Sequence, residues 1–262
     1  MYEFEFEKPA TVAEAAAALA DEDAQALGGG QTLIPTLKQR LAMPSKLVSL
    51  TGIAQLKELS DNGGMLTIGG AVTHAEAAEA AAGPYPALAD LASHIGDPAV
   101  RNRGTIGGSL ANNDPAACYP AAALGSGATI VTSRREVTAD DYFRGLFETA
   151  LEEGEIITAV RFPVPQKANY QKFEQPASRF ALVGVFVAKY AAGVRVAVTG
   201  ASEEGVFRWR EAEAALDASF APDALDGLSL DAGGMIGDLH GTKEYRAHLA
   251  AVMTRRAVAA AA

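Results

Sequence analysis

The chain opens on an alternation: Tyr2, Phe4 and Phe6 are interleaved with Glu3, Glu5 and Glu7, the period-two pattern of a strand with one buried face. Thr11, with Glu14 three residues on and an alanine-rich run after it, predicts a capped helix over residues 12–20. A short apolar stretch at 25–27 runs into Gly28-Gly29-Gly30. Leu33, Leu37 and Leu41 then recur every four residues, which predicts an amphipathic helix over 31–41, with Pro35 tolerated in its first turn. Residues 46–50 read as the strand that closes this βαβ-like unit. A second unit follows, with a strand at 65–68, a break at Gly69-Gly70, and a helix over 75–82 that Thr73 and Glu76 cap reciprocally. Another apolar helix spans 86–95. From Gly96 to Pro120 the periodicity disappears, and so long an irregular segment inside a compact domain is usually functional.

Strand character returns at 128–132 and 155–162 and stops at Pro163 and Pro165, where a boundary is expected. Beyond it, 170–174, 182–190 and 194–199 are β-rich, and Ala191-Ala192-Gly193 predicts a hairpin between the second and third. Helices are expected at 210–218 and 242–259, the latter with Tyr245, Leu249, Val252 and Arg256 at helical spacing. No internal repeat is present. A chain of 262 residues can bury a substantial core. The reading divides it into 1–55, 56–166 and 167–262.

Composition narrows the possible functions. With 22 Lys and Arg against 32 Asp and Glu, and no basic run, the field of the protein repels a nucleic-acid backbone. The opening residues lack the basic start and apolar run of a signal peptide, and no stretch approaches ~18–20 apolar residues, so a cytoplasmic protein that does not span a membrane is expected. The single cysteine, Cys118, can form no internal disulfide and cannot hold an iron–sulfur cluster, which takes four ligands. The four histidines show no metal-ligand spacing, so no metal site is expected on this chain.

Two glycine loops are the candidate chemistry. Gly28-Gly29-Gly30-Gln31-Thr32 lies between an expected strand and helix, where bare backbone can approach a ligand and N–H groups can converge on an anion. It is neither the dinucleotide fingerprint, since Leu33 stands where the third glycine belongs, nor a Walker loop, since no Gly-Lys-Ser/Thr follows. Thr105-Ile106-Gly107-Gly108-Ser109 is the second, with hydroxyls on both sides of a glycine pair. Either motif alone is also compatible with a plain tight turn. Together they could clamp a pyrophosphate, whose two linked charges need more donors than one turn supplies.

The spacing of residues 27–35 from residues 97–109, continued by Ala111-Asn112-Asn113-Asp114-Pro115-Ala116-Ala117, Glu155-Ile156-Ile157, Asp238-Leu239-His240-Gly241 and Glu244-Tyr245-Arg246, resembles the FAD-binding medium subunit of the aerobic carbon monoxide dehydrogenase and xanthine dehydrogenase family of molybdenum hydroxylases. The resemblance runs over nearly the whole chain. It implies an α+β protein: a two-subdomain FAD-binding fold of the vanillyl-alcohol-oxidase type followed by a smaller C-terminal α+β domain. It also implies that Gly28, Gly29, Gly30, Gln31, Thr32, Thr105, Ile106, Gly107, Gly108 and Ser109 bind the FAD diphosphate and ribityl chain, that Ile157 packs near the isoalloxazine, and that Lys172 lies close to it. Ile95 is a further candidate for the other ring face. Ile95 and Ile157 read equally well as core residues, and Lys172 as a solvated side chain.

One position departs from the pattern. Where many relatives carry an acidic residue, this chain has Cys118, and a thiol is a far weaker acceptor than a carboxylate; Asp114 or Asn113 could take over the flavin contact. Arg101-Asn102-Arg103 reads either as a phosphate or partner contact or as a loop tied down by arginine. The resemblance further implies two partners, a large subunit with the molybdenum cofactor and a small subunit with two-iron iron–sulfur clusters, in a heterotrimer or a dimer of heterotrimers. In such a complex the flavin passes electrons from those clusters to an external acceptor, and this chain supplies no catalytic acid or base. Two rival readings remain: a self-sufficient flavoprotein oxidase or dehydrogenase, and a scaffold without flavin.

Overall fold

A computed structural model describes residues 1–261. The N-terminal part is a three-stranded parallel sheet with Lys46–Ser49 in the centre, flanked by Glu5–Glu7 and Ala24–Leu27. Parallel neighbours need crossovers, and the helices Val12–Ala18 and Leu33–Lys38 lie in the two connections. Thr11 caps the first helix by accepting from Glu14 N–H. The expected reciprocal arm reaches one residue further back, from Glu14 to Ala10 N–H at 2.8 Å. The second helix is shorter than the 31–41 expected. Gly30 at φ +73° delays its start, and Arg40 at φ +60° lies past its end at Lys38.

The expected buried aromatic face of the first strand is not found. Only residues 5–7 pair, and Phe6 stays half-exposed under the Lys8 ammonium. The local core gathers instead on the central strand, where Val48 packs with Ala15, Ala18, Leu19, Ile53, Leu56, Ala71 and Ile156. A three-residue edge strand is left outside it.

The middle sheet is antiparallel, ordered Leu59–Asp61, Met65–Gly69, Ile157–Pro163, Thr129–Thr132, Glu136–Thr138. Its central strand comes last in the chain, so the sheet is complete only after every helix laid on it has been made. Thr73 and Glu76 form the full capping box at the start of His74–Ala81. Residues 96–120, expected to be irregular, carry short helices at Pro98–Arg101 and Ile106–Asn112, and a third at Tyr119–Ser126 starts within them. Glycine, proline and asparagine hide these from any periodicity, but their caps are present: Asp97 accepts from Val100 N–H, Thr105 accepts from Gly108 N–H, and Asn113 at φ +43° ends the second.

The chain enters a four-stranded antiparallel sheet at Lys167, in sequence order Lys167–Glu174, Ala181–Tyr190, Gly193–Ser202, Gly205–Arg208; the last strand was not expected. Tyr190 pairs with Gly193 across the predicted hairpin, where the glycine holds φ +136°. Both faces of this sheet are covered. Phe186, Ala188 and Ala197 join the core of the middle sheet, while Val183, Val185, Val187, Val194, Val196 and Val198 pack with the C-terminal helix Lys243–Ala260. Residues 181–188 are consequently buried without alternation. Among the described residues no helix is long and apolar enough to cross a membrane.

Candidate functional site

A cleft of about 690 Å³ runs between the N-terminal sheet, the middle sheet and the first turn of the C-terminal sheet, within the usual size of ligand sites. Of the predicted residues, Gly28, Gly29, Gly30, Gln31, Thr32, Thr105, Gly107, Gly108, Ser109, Asp114, Ile157 and Lys172 line it, as do Ile95 and Cys118. Ile106 does not: its side chain is fully buried in the core, and only its backbone belongs to the loop.

The two glycine loops meet along the cleft. A Cβ on Gly29 would fall 1.8 Å from Arg103 O, and one on Gly28 would fall 2.9 Å from Thr105 Oγ1. Such contacts exclude any side chain at Gly29, so this glycine is required by the fit of one loop on the other. The backbone N–H groups of residues 28–33 have no acceptor among the described residues, and all six residues line the cleft. A run of unpaired amides on a cleft wall suits an anion with several oxygens.

The second loop is wired differently. Ile106 N–H donates to Val72 O, Gly107 N–H to Gly70 O, Gly108 N–H to Thr105 Oγ1 and Ser109 N–H to Thr105 O. Its amides are therefore spent inside the protein. A Cβ on Gly107 would sit 2.5 Å from Gly70 O, whereas one on Gly108 would meet only Thr105 Oγ1, at 3.0 Å. What this loop can offer a ligand is the Ser109 hydroxyl and the bare surface of Gly108.

Also lining the cleft, Ile157 begins the central strand of the middle sheet and Lys172 projects from the C-terminal sheet. Lys172 Nζ donates to His94 O at 2.8 Å and lies 3.9 Å from Glu174; its side chain is 5% exposed, so it is a buried, positioned cation rather than a solvated one. Asp114 lines the wall while its Oδ1 accepts from Ala116 N–H. Asn113 is not among the residues lining the cleft: it is buried, and its Nδ2 donates to Gly145 O and Glu148 O, both at 2.9 Å. Cys118 is buried beside the Tyr170 hydroxyl, which has no hydrogen-bond partner among the described residues. Arg101 donates to Ile95 O and Gly96 O, which is the loop-tying role of the two read from sequence.

Gly70, Ala71, His74, Gly104, Ser178, Arg179 and Phe180 also line the cleft, and sequence reasoning did not single them out as site residues. In the sequence Gly69-Gly70 reads only as a break, although a Cβ on Gly70 would fall 2.1 Å from Ile157 O. Ser178 and Arg179 hold φ +64° and +56° in the turn before the second C-terminal strand. No Gly or Asn marks that turn in the sequence.

Residues 2–165 match the family described as the FAD binding domain in molybdopterin dehydrogenase. The nicotine 6-hydroxylase medium subunit of Paenarthrobacter nicotinovorans is 35% identical over 97% of this chain and 95% of its own length. The carbon monoxide dehydrogenase medium chain of Afipia carboxidovorans is 33% identical over 97% and 95%. Among solved structures, reconstituted CO dehydrogenase from Oligotropha carboxidovorans superposes with a TM-score of 0.89 at 31% identity, covering 98% of this chain and 97% of that one. Quinoline 2-oxidoreductase from Pseudomonas putida 86 gives 0.85 at 31% identity, covering 98% and 96%. A family match over most of the chain, with near full-length relatives of the same architecture, establishes that the chain belongs to the FAD-binding family of the molybdopterin dehydrogenases, as an FAD-binding oxidoreductase subunit of the molybdenum hydroxylase type.

Proposed function

We propose that FAD lies along the cleft with its diphosphate on the amides of residues 28–33, its polar chain against Ser109, Gly108 and Asp114, and its ring system towards Ile157, Ile95 and Lys172. The observation that carries this reading is the run of unpaired amides on the wall of a cleft of about 690 Å³. Gln31 and Thr32 add side-chain donors at the same wall. Gly28 and Gly29 keep the loops close enough for both to reach one ligand, and Gly107 seats the second loop on Gly70. The buried Lys172 ammonium brings positive charge to the ring end, where reduction of the cofactor adds electrons.

Bound FAD can accept electrons singly and release them in pairs. The partners we infer are a large subunit with a molybdenum cofactor, which oxidises the substrate, and a small subunit whose two-iron clusters relay the electrons, together a heterotrimer or a dimer of heterotrimers. A single cysteine supports the division of labour, since this chain cannot ligate the relay itself. Its own residues bind, orient and shield the cofactor. The visible absorption spectrum of the purified chain, with the released cofactor identified by chromatography and mass, tests the reading. Non-covalent FAD is expected; a folded, colourless protein that refused added FAD would overturn it.

A further inference from the structure

Beside Gly104, where the two glycine loops meet, stands a histidine that the sequence motifs do not explain. His74 is the first residue of the helix His74–Ala81, and its backbone N–H donates to Gly104 O at 2.9 Å. The imidazole is only 5% exposed, yet it lines the cleft together with Gly70, Ala71 and Gly104. Its Nδ1 is fully buried and has no hydrogen-bond partner among the described residues. Nε2 makes no bond to protein either, and it stands so close to Gly104 that a Cβ there would fall 2.6 Å away. Gly104 also touches the first loop, where a Cβ on Gly29 would come within 2.6 Å of its Cα. The imidazole therefore lies within a residue's breadth of the junction between the loops. Packing against Tyr119, with ring centroids 5.3 Å apart, fixes its plane.

Of the two ring nitrogens, neither bonded to protein, Nδ1 is fully buried and Nε2 is not, so Nε2 is the one a ligand in the cleft can reach. Burial first, and the Arg101 charge second, lower the pKa of His74 to about 4, so the ring is neutral near pH 7 and carries one N–H. A proton on Nδ1 would be buried with nothing to accept it, which leaves the proton on Nε2, the nitrogen beside the cleft-lining Gly104. We infer that His74 is a cofactor-holding residue whose Nε2–H donates to an oxygen of the FAD diphosphate at the junction of the two glycine loops. The inference rests on the reading of the cleft as the FAD site, and adds to the loop amides a rigid side-chain donor from a third element.

The test titrates the full-length apo chain with FAD and with riboflavin, which has no phosphate, using wild type, His74→Leu and His74→Gln, each checked by circular dichroism and thermal melting. His74→Leu is expected to raise the Kd for FAD by about tenfold to a hundredfold, the usual range for losing a hydrogen bond to a charged group, and to leave riboflavin unchanged. His74→Gln, which keeps a neutral N–H donor, should recover most of the FAD affinity. Should His74→Leu fail to fold, His74→Met against His74→Gln gives the same contrast. Unchanged FAD affinity without the imidazole, or an equal loss for FAD and riboflavin, would overturn the assignment and make His74 a packing residue. A wild-type chain that bound neither flavin would instead overturn the cofactor reading on which it rests.

Discussion

The two glycine loops look alike in sequence and are put to different uses. In the first, residues 28–33 leave their amides unpaired on the cleft wall; in the second, the amides of Ile106, Gly107, Gly108 and Ser109 are all consumed by Val72, Gly70 and Thr105. Gly29 and Gly107 share one role, since each permits a backbone contact that a Cβ would forbid. Gly108 does not share it, because its missing side chain faces the cleft. A glycine pair flanked by hydroxyls therefore says little about whether the amides or the bare surface matter. Where the neighbouring carbonyls fall decides that.

The largest effect should come from adding a methyl group between the loops. Gly29→Ala places an atom 1.8 Å from Arg103 O. Prying the loops apart should cost about 4 kcal/mol or more, beyond the usual overpacking penalty because backbone must move. Urea unfolding of the apo chain measures it, and a loss below about 1 kcal/mol would show that the loops separate easily.

Gly108→Asp should do the reverse, sparing the fold and removing the ligand. Its Cβ meets only Thr105 Oγ1, while the carboxylate would add bulk and negative charge beside the site proposed for the cofactor's diphosphate. A rise of about a thousandfold in the Kd for FAD, ~4 kcal/mol, is expected with the melting temperature nearly unchanged. Normal flavin content in the folded variant would reject this placement of the cofactor.

His74, beside Gly104, should make the apo protein acid-sensitive. Its folded pKa of about 4, lowered by burial and then by Arg101, lies below the unfolded value of 6.5. The unfolded chain therefore binds the proton first as pH falls. Stability present above pH 6.5 should decline by up to ~1.4 kcal/mol per pH unit down to about pH 4, roughly 3 kcal/mol in all. Chemical denaturation across that range checks the slope, and His74→Gln should flatten it.

The smallest change tests the wiring of the second loop. Thr105→Val removes the oxygen that caps Gly108 N–H, and should cost about 1 kcal/mol of stability. The loss should be the same with and without FAD if Thr105 acts on the helix alone; a loss seen only with FAD would assign the hydroxyl to the ligand.

Legibility in the sequence followed the range of the interactions. Thr73 with Glu76, Thr11 with Glu14, and the Ala191-Ala192 hairpin are local devices, and each was read within a few residues of where it acts. Phe6 is half-exposed despite the alternation, because alternation shows that a strand has two faces, not whether anything covers one of them. The helices between 96 and 120 escaped because short elements rich in Gly, Pro and Asn carry caps but no periodicity.

By itself the sequence determined the acidic, single-cysteine character of the chain, the glycine loops and their separation, most of the helices and strands, and the resemblance that led to FAD. Tertiary structure decided which loop presents its amides, that Ile106 faces the core while Gly108 faces the cleft, that Asn113 is spent on residues 145 and 148, and that His74 and the turn at Ser178 and Arg179 line the same cleft. The reason is geometric. Caps, turns and amphipathic spacing act over a few residues and leave their mark in composition, whereas the acceptor of a given amide can lie on a strand or helix many residues away, and only the folded backbone brings the two together.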